Sequence, residues 1–466
     1  MTWENIFTEE QRFEETFRIL EDNRSKYQKD FDKLVFYSGF RRLQNKTQVF
    51  PLPGVAFVHN RLTHSFEVAS VGRSLGKQVG ERLVKDIRLS EDAKVFYKYE
   101  LPNVIAAGCL AHDIGNPPFG HSGEKAIAKY FLDNENTEIE NKKALRTYFD
   151  SAFWEDLIKF EGNANGFRIL TNSFNGKNQG SLNLTLTTLA STLKYPCSSD
   201  QIDEKFIHSK KFNYFQSEIV AFQDVCAKTN MLQDKKSPKS YYRHPFTYLV
   251  EAADDICNSI VDLEDAQRIG ILSFTDVRDL IDNLIRCVVK ENVHLDKNSI
   301  IQEPKDSNEY LSNLRTAAID ILTVKCAAFF DEYKEAIING QWNDKKNSLF
   351  DVVASKCAEV KAIQDISTSK IYNHNKVIKV ELTGYKVLYD LLDLFIPAVL
   401  KKEENRSHKD KKIVSLIPLQ FLPPEDLEPK YFLKVMSVLD FISGMTDTYA
   451  IQLYRDLCGI EIIEHT

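Results

Sequence analysis

From Leu62 onward, the apolar residues Phe66, Ala69, Leu75, Val79 and Leu83 recur mostly at three- and four-residue steps. That is the period of a helix burying one stripe. Val104–Leu110 carries no charge and predicts a short, fully buried helix ending in His112-Asp113, because Gly115 and Pro117-Pro118 cannot continue it. Leu249, Ala253, Ile256, Ile260 and Leu263 form another stripe, and similar patterns run through 311–336 and 384–400. Strand signals are few. Thr47–Phe50 and Val55–Val58, on either side of Pro51-Leu-Pro-Gly54, predict a small hairpin over residues 47–58. Asn172–Gly180, Lys228–Ser240 and the charge run Lys401–Lys412 read as surface loops. Glu403, Glu404 and Asp410 interrupt the last of these, which favours a solvated loop over a nucleic-acid patch. No repeat of 20–50 residues and no linker is visible. The expected fold is all-α with one small β-hairpin: a core over residues 1–270, and a helical C-terminal region over 271–466 packed on it and contributing to the substrate pocket.

Composition narrows the class. A chain of 466 residues with 43% hydrophobic positions buries enough surface to need no disulfide or structural metal for its core. Sixty Lys+Arg against 67 Asp+Glu give a net charge of -7, which excludes a protein that coats nucleic acid over its whole surface. Val104–Ala111 is far too short to span a bilayer, and Met1–Asn5 shows neither a basic nor an apolar leader segment. The eight cysteines are scattered and never form C-x-x-C, so neither a zinc ribbon nor a disulfide framework is expected. These features describe a reduced, cytoplasmic globular protein.

The chemistry concentrates in one region. Of ten histidines, four (His59, His64, His112 and His121) fall between residues 59 and 121, and histidine is both the commonest side-chain metal ligand and the usual acid–base near neutral pH. An isolated His-Asp pair is expected roughly once by chance in such a chain. Context lifts this one, because a helix ending in a rigid loop can aim His112 and Asp113 at one point. His64, near the start of its own helix, can approach from a second side. A further oxygen ligand is available from Asp254, Asn258 and Asp262, which fall at i, i+4 and i+8 on one helix face. Periodicity alone reads that face as solvated, since Glu251, Asp255 and Asp265 share the broad arc opposite the apolar stripe. Only a cation also accounts for the histidines. His121 and Glu124 form a separate i, i+3 pair, suited to proton transfer or, more simply, to a surface histidine beside a capping acid.

The strings Arg41–Pro51, Arg61-Leu-Thr-His64-Ser, His112-Asp-Ile-Gly-Asn-Pro-Pro-Phe-Gly-His121, Tyr242-Arg-His-Pro245, Glu251–Asp265 and Ile442-Ser-Gly-Met-Thr-Asp447-Thr-Tyr-Ala450 closely resemble the deoxyguanosinetriphosphate triphosphohydrolases of the HD-domain phosphohydrolase superfamily. The resemblance implies that His64, His112, Asp113 and Asp254 bind a divalent metal, Mn2+ or Mg2+, with another transition metal also compatible with the nitrogen ligands. It further implies that His121 and Glu124 handle protons at the scissile phosphate. Gln48 and Asp262 would contact the deoxyribose 3'-hydroxyl, and Lys194, Lys211 and Arg61 the phosphates, with Arg243 a further cation. Asn258 stands where the family usually has a tyrosine packed near the sugar, so exclusion of a 2'-hydroxyl is less secure. The implied reaction is metal-dependent hydrolysis of a dNTP, preferentially dGTP, to deoxynucleoside and intact triphosphate. Family members also bind single-stranded DNA and form homo-oligomers, commonly hexamers. The alternatives are another HD-superfamily phosphohydrolase or phosphodiesterase reaction, or an idle nucleotide- or DNA-binding regulator.

Overall fold

The computed structural model describes residues 1–14, 22–50, 58–175, 182–291, 306–344, 348–423 and 431–460. Its principal helices, in chain order, are α1 (Arg61–Asp86), α2 (Leu101–Ala111), α3 (His121–Asp133), α4 (Gly162–Thr171), α5 (Pro245–Arg268), α6 (Phe274–Glu291), α7 (Ser307–Ile338), α8 (Ala358–Ile366), α9 (Asn375–Leu400), α10 (Tyr431–Ser443) and α11 (Asp447–Leu457). The fold is helical, as the apolar periodicity predicts. The sheet lies elsewhere than expected: Glu138–Glu140 (β1) pairs antiparallel with Lys143–Ala144 (β2). Of the expected hairpin, residues 51–57 lie outside the described residues, while Thr47 and Asn60 at its ends form a single antiparallel bridge.

Local sequence explains how the site-bearing helices begin. Asn60 caps α1, its side chain accepting from Thr63 N while the Thr63 hydroxyl accepts from Asn60 N. Pro245 occupies the first position of α5, with the His244 ring as the cap. Together these caps fix where His64 and the acidic face of α5 point. Helices α1 and α2 cross closely because Gly76 carries no side chain; a Cβ there would meet the Pro102 Cα at 2.9 Å. Phe66, expected in the buried stripe of α1, is 42% exposed and stands edge-on to Phe40, because the burying face passes through His64, Ser65, Val68 and Ala69.

Two apolar clusters make up the interior. One joins α1, α2, α5, α6 and α7 with the N-terminal Trp3 and Ile6. The other joins α3, α9 and α10 with Trp154, Phe212 and Phe215. The charge run Lys401–Lys412 is not simply a loop. Ser407 starts a helix, His408–Ser415, through a capping box with Asp410, and Lys401 pairs with the same Asp410 at 2.9 Å. No described helix is long and apolar enough to cross a membrane.

Candidate active site

His112 closes α2, and its ring is locked from behind: Nδ1 lies 2.6 Å from the Cys109 carbonyl. A carbonyl only accepts, so Nδ1 carries a proton and Nε2 is the ring atom turned toward the cluster. That Nε2 is buried and has no hydrogen-bond partner among the described residues. It faces Asp254 Oδ1 and Asp113 Oδ1, each at 3.5 Å. Two carboxylates converging on one ring nitrogen repel one another unless positive charge stands among them, which a metal ion would supply. His64, fully buried in α1, reaches the same Asp254 oxygen through Nε2 at 3.0 Å. The ligand atoms of His64, His112 and Asp254 all lie within 4.8 Å of one another. Asp113 stands at the margin, taking Arg61 Nη1 on Oδ2 and Asn116 Nδ2 on Oδ1, both at 2.6 Å. The carboxylate's remaining lone pairs leave it able to join a metal. Burial opposes ionisation of Asp254, but His112, His64 and Lys194 outweigh it and hold the carboxyl well below its usual range. Two imidazoles and one or two carboxylates fit a divalent cation with open positions.

The face of α5 that periodicity reads as solvated is buried. Glu251 and Asp265 are 8% and 3% exposed, and each acid has a partner: Arg243 Nη1 on Glu251 at 2.7 Å, the Ser348 hydroxyl on Asp255 at 2.8 Å, and His59 Nδ1 beside Asp265 at 2.9 Å. Arg243 is fully buried and pairs with Glu251, and it belongs to the lining of the cavity described next. Asp255 is pushed up to about 8 by burial and then by the neighbouring Glu251 charge.

A cavity of about 930 Å³ opens over this cluster, within the range that takes small ligands. Gln48, Arg61, His121, Lys194, Lys211 and Asn258 line it, as does Asp262. Gln48 Nε2 donates to Asn258 Oδ1 at 3.2 Å, and Asn258 Nδ2 donates to Asp254 Oδ1 at 2.7 Å. Gln48 Oε1 is buried and unpartnered. Burial pushes Asp262 up to about 7, and its Oδ2 accepts the Tyr372 hydroxyl at 2.7 Å. Lys194 pairs with Glu251 at 3.3 Å and Lys211 with Glu161 at 2.8 Å; both remain partly exposed on the cavity wall. Tyr372 and the further cations Lys125, Lys210 and Lys361 also line the cavity and were not singled out from the sequence. Lys125 and Lys210 come in beside Glu124 and Lys211, whereas Tyr372 and Lys361 belong to no motif and are brought in by topology alone.

His121 begins α3 and projects into the cavity, its side chain 74% exposed. Glu124, by contrast, is buried. Its Oε2 lies 2.7 Å from His121 Nδ1, and its Oε1 accepts Gly162 N at 2.7 Å. Burial raises the Glu124 carboxyl, but His121 and Lys211 more than offset it and hold it below the ordinary value. The acid therefore anchors the imidazole and leaves Nε2 turned outward. Gly120, immediately before, has φ +56° and ψ -129°, a conformation essentially restricted to glycine. A Cβ there would also meet Arg61 Nη2 at 2.4 Å. The same loop is stapled from a distance: Asp447, the first residue of α11, accepts Thr47 N at 2.8 Å and Phe119 N at 3.0 Å. Lys46 Nζ donates beside it to the carbonyls of Asn116 and Ser443.

Residues 61–160 match the HD domain and residues 352–456 the phosphohydrolase-associated domain. The chain is 34% identical over 473 residues to a deoxyguanosinetriphosphate triphosphohydrolase-like protein of Synechocystis, covering 99% of this chain and 100% of that protein. It is 35% identical to a protein of that description from Pseudomonas aeruginosa, over 98% of this chain and 99% of the relative. A deoxyguanosinetriphosphate triphosphohydrolase of Serratia proteamaculans is 29% identical, over 93% and 94% of the two chains. HD domains are metal-dependent phosphohydrolases, and the orphaned His112 Nε2 lies inside the matched segment with His64 and His121. The chain belongs to the deoxyguanosinetriphosphate triphosphohydrolase-like family of HD-domain phosphohydrolases.

Proposed function

We propose that this hydrolase cleaves deoxynucleoside triphosphates, dGTP first among them, to the deoxynucleoside and intact inorganic triphosphate. The observation that carries the reading is one cavity lined by His112, Asp113 and Asp254 and, one and two turns further along α5, by Asn258 and Asp262. In this reading His64, His112 and Asp254, with Asp113, hold a divalent ion, Mn2+ or Mg2+, which when bound polarises a phosphoryl oxygen. Arg61, Lys194 and Lys211 offset the charge of the triphosphate, and the N-terminus of α3 adds its dipole beside them. Gln48 and Asp262 orient the deoxyribose through its 3'-hydroxyl, with Tyr372 fixing the Asp262 carboxyl. Water adds to the α-phosphorus, the bond from phosphorus to the 5'-oxygen breaks, and that oxygen takes up a proton. His121 Nε2, aimed by Glu124, is the atom through which the proton passes. Residues 1–270 form the catalytic core in this scheme, and 271–466 complete the pocket through Ser348, Lys361 and Tyr372.

Anion-exchange separation of products tests the reading. The protein is incubated with each of the four dNTPs and with GTP, in Mn2+ or Mg2+ and in chelator. Metal-dependent appearance of deoxynucleoside and intact triphosphate is expected, fastest with dGTP. Pyrophosphate or single phosphate as the product would overturn the proposed bond cleavage.

A further inference from the structure

Away from the cavity, three side chains separated in sequence meet in space. Cys287 lies on α6. Cys357 is the residue at which the helix Leu349–Lys356 ends and α8 begins, and Glu359 stands in the first turn of α8. Cys357 Sγ is 3.9 Å from Cys287 Sγ and 3.4 Å from Glu359 Oε2, and the three ligand atoms all lie within 4.8 Å of one another. We infer that Cys287, Cys357 and Glu359 form a second metal site, selective for a thiophilic divalent cation of the zinc type and distinct from the catalytic centre.

The distances carry the inference. In a tetrahedral site with metal–sulfur bonds of about 2.3 Å and metal–oxygen bonds of about 2.0–2.2 Å, two sulfurs stand ~3.8 Å apart and a sulfur and an oxygen ~3.6 Å apart. The observed 3.9 and 3.4 Å are therefore close to the edges of such a tetrahedron. They are far from the ~2.05 Å of a disulfide. Both thiols are reduced; Cys357 is buried and Cys287 is half-buried, which leaves the cluster open to solution on one side. The N-terminus of α8 favours negative charge on Cys357 and Glu359. A loaded site would clamp α6 to α8, and α8 runs on into the turn Ser367–Ile371 and Tyr372, whose hydroxyl fixes Asp262.

Cobalt supplies the test. Full-length protein, reduced and stripped with chelator, is titrated with Co2+ and followed by absorption. Thiolate-to-cobalt charge transfer is expected to reach its plateau by about two equivalents per chain, since the catalytic centre also takes Co2+ without contributing to the band, and to disappear when Zn2+ displaces Co2+. His112→Ala retains the band, because the catalytic ligands contain no sulfur, whereas Cys287→Ser/Cys357→Ser loses it. Glu359→Gln weakens binding at least ~10-fold. The half-buried Cys287→Ser alone, with an unchanged melting temperature in chelator, covers the case in which the double variant fails to fold. A wild-type titration without the charge-transfer band, or a band that survives in Cys287→Ser, overturns the site.

Discussion

Because His112 donates through Nδ1 to the Cys109 carbonyl, its Nε2 is the ring atom left for a metal, and that atom faces two carboxylates. His121, in contrast, touches no member of the cluster and is anchored by Glu124 alone. The two histidines are therefore expected to fail differently. His112→Ala loses tight metal binding along with turnover. His121→Ala keeps its metal by elemental analysis while kcat falls about 10²–10⁴-fold. That His-Asp pair was legible in the sequence because a buried helix and a Gly/Pro loop frame it. The wall proposed to hold the sugar was only half legible. Gln48 and Asp262 lie in recognisable strings, whereas Tyr372 sits 110 residues from the carboxyl it fixes. Asn258→Tyr tests that wall: the ring would replace a carboxamide linking Gln48 to Asp254, and the dGTP-to-GTP ratio of kcat/KM is expected to rise about tenfold. An unchanged ratio would mean that the tyrosine usual at this position adds nothing to sugar discrimination here.

Helix positions came through well in the sequence, and helix contacts did not. The stripes of α1 and α5 show the 3.6-residue period, but periodicity sees only which face is apolar. It assigned Glu251, Asp255 and Asp265 to water because their partners Arg243, Ser348 and His59 come from other elements. The C-terminal string Ile442–Ala450, which contains Asp447, is a similar case, recognisable as a string yet silent about purpose. In the fold its carboxylate bridges Thr47 N and Phe119 N, so α11 locks the segment carrying Gln48 to the loop carrying His121. Asp447→Asn keeps the size but replaces one acceptor oxygen with a donor that faces an N–H, leaving one of the two amides unsatisfied at a cost of about 1–3 kcal/mol. A drop in kcat/KM of about 10–100-fold is expected with metal content unchanged. Equal activity in the variant would show that the two segments are positioned without the staple.

At the scale of the whole molecule, an acid buried without a cation beside it ties stability to pH in a direction opposite to the common one. Asp156, on the helix Ser151–Ile158, illustrates it. The side chain is fully buried, accepts the Ser199 hydroxyl at 2.6 Å and Gln216 N at 2.7 Å, and is pushed up to about 8 by burial. These bonds pin the stretch that carries Lys194 and Lys211 to the second apolar cluster. The unfolded carboxyl ionises near its ordinary value of 3.8, so between about pH 4 and 8 the native state binds the extra proton and stability falls as pH rises. Asp156→Asn removes the titration and preserves both contacts, its Oδ1 accepting Gln216 N and its Nδ2 donating to Ser199. Denaturant unfolding from pH 5 to 8 is therefore expected to show the variant gaining on the wild type with a slope approaching ~1.4 kcal/mol per pH unit. Parallel stability curves would mean that Asp156 is already ionised in the fold and that burial is offset by its two donors alone.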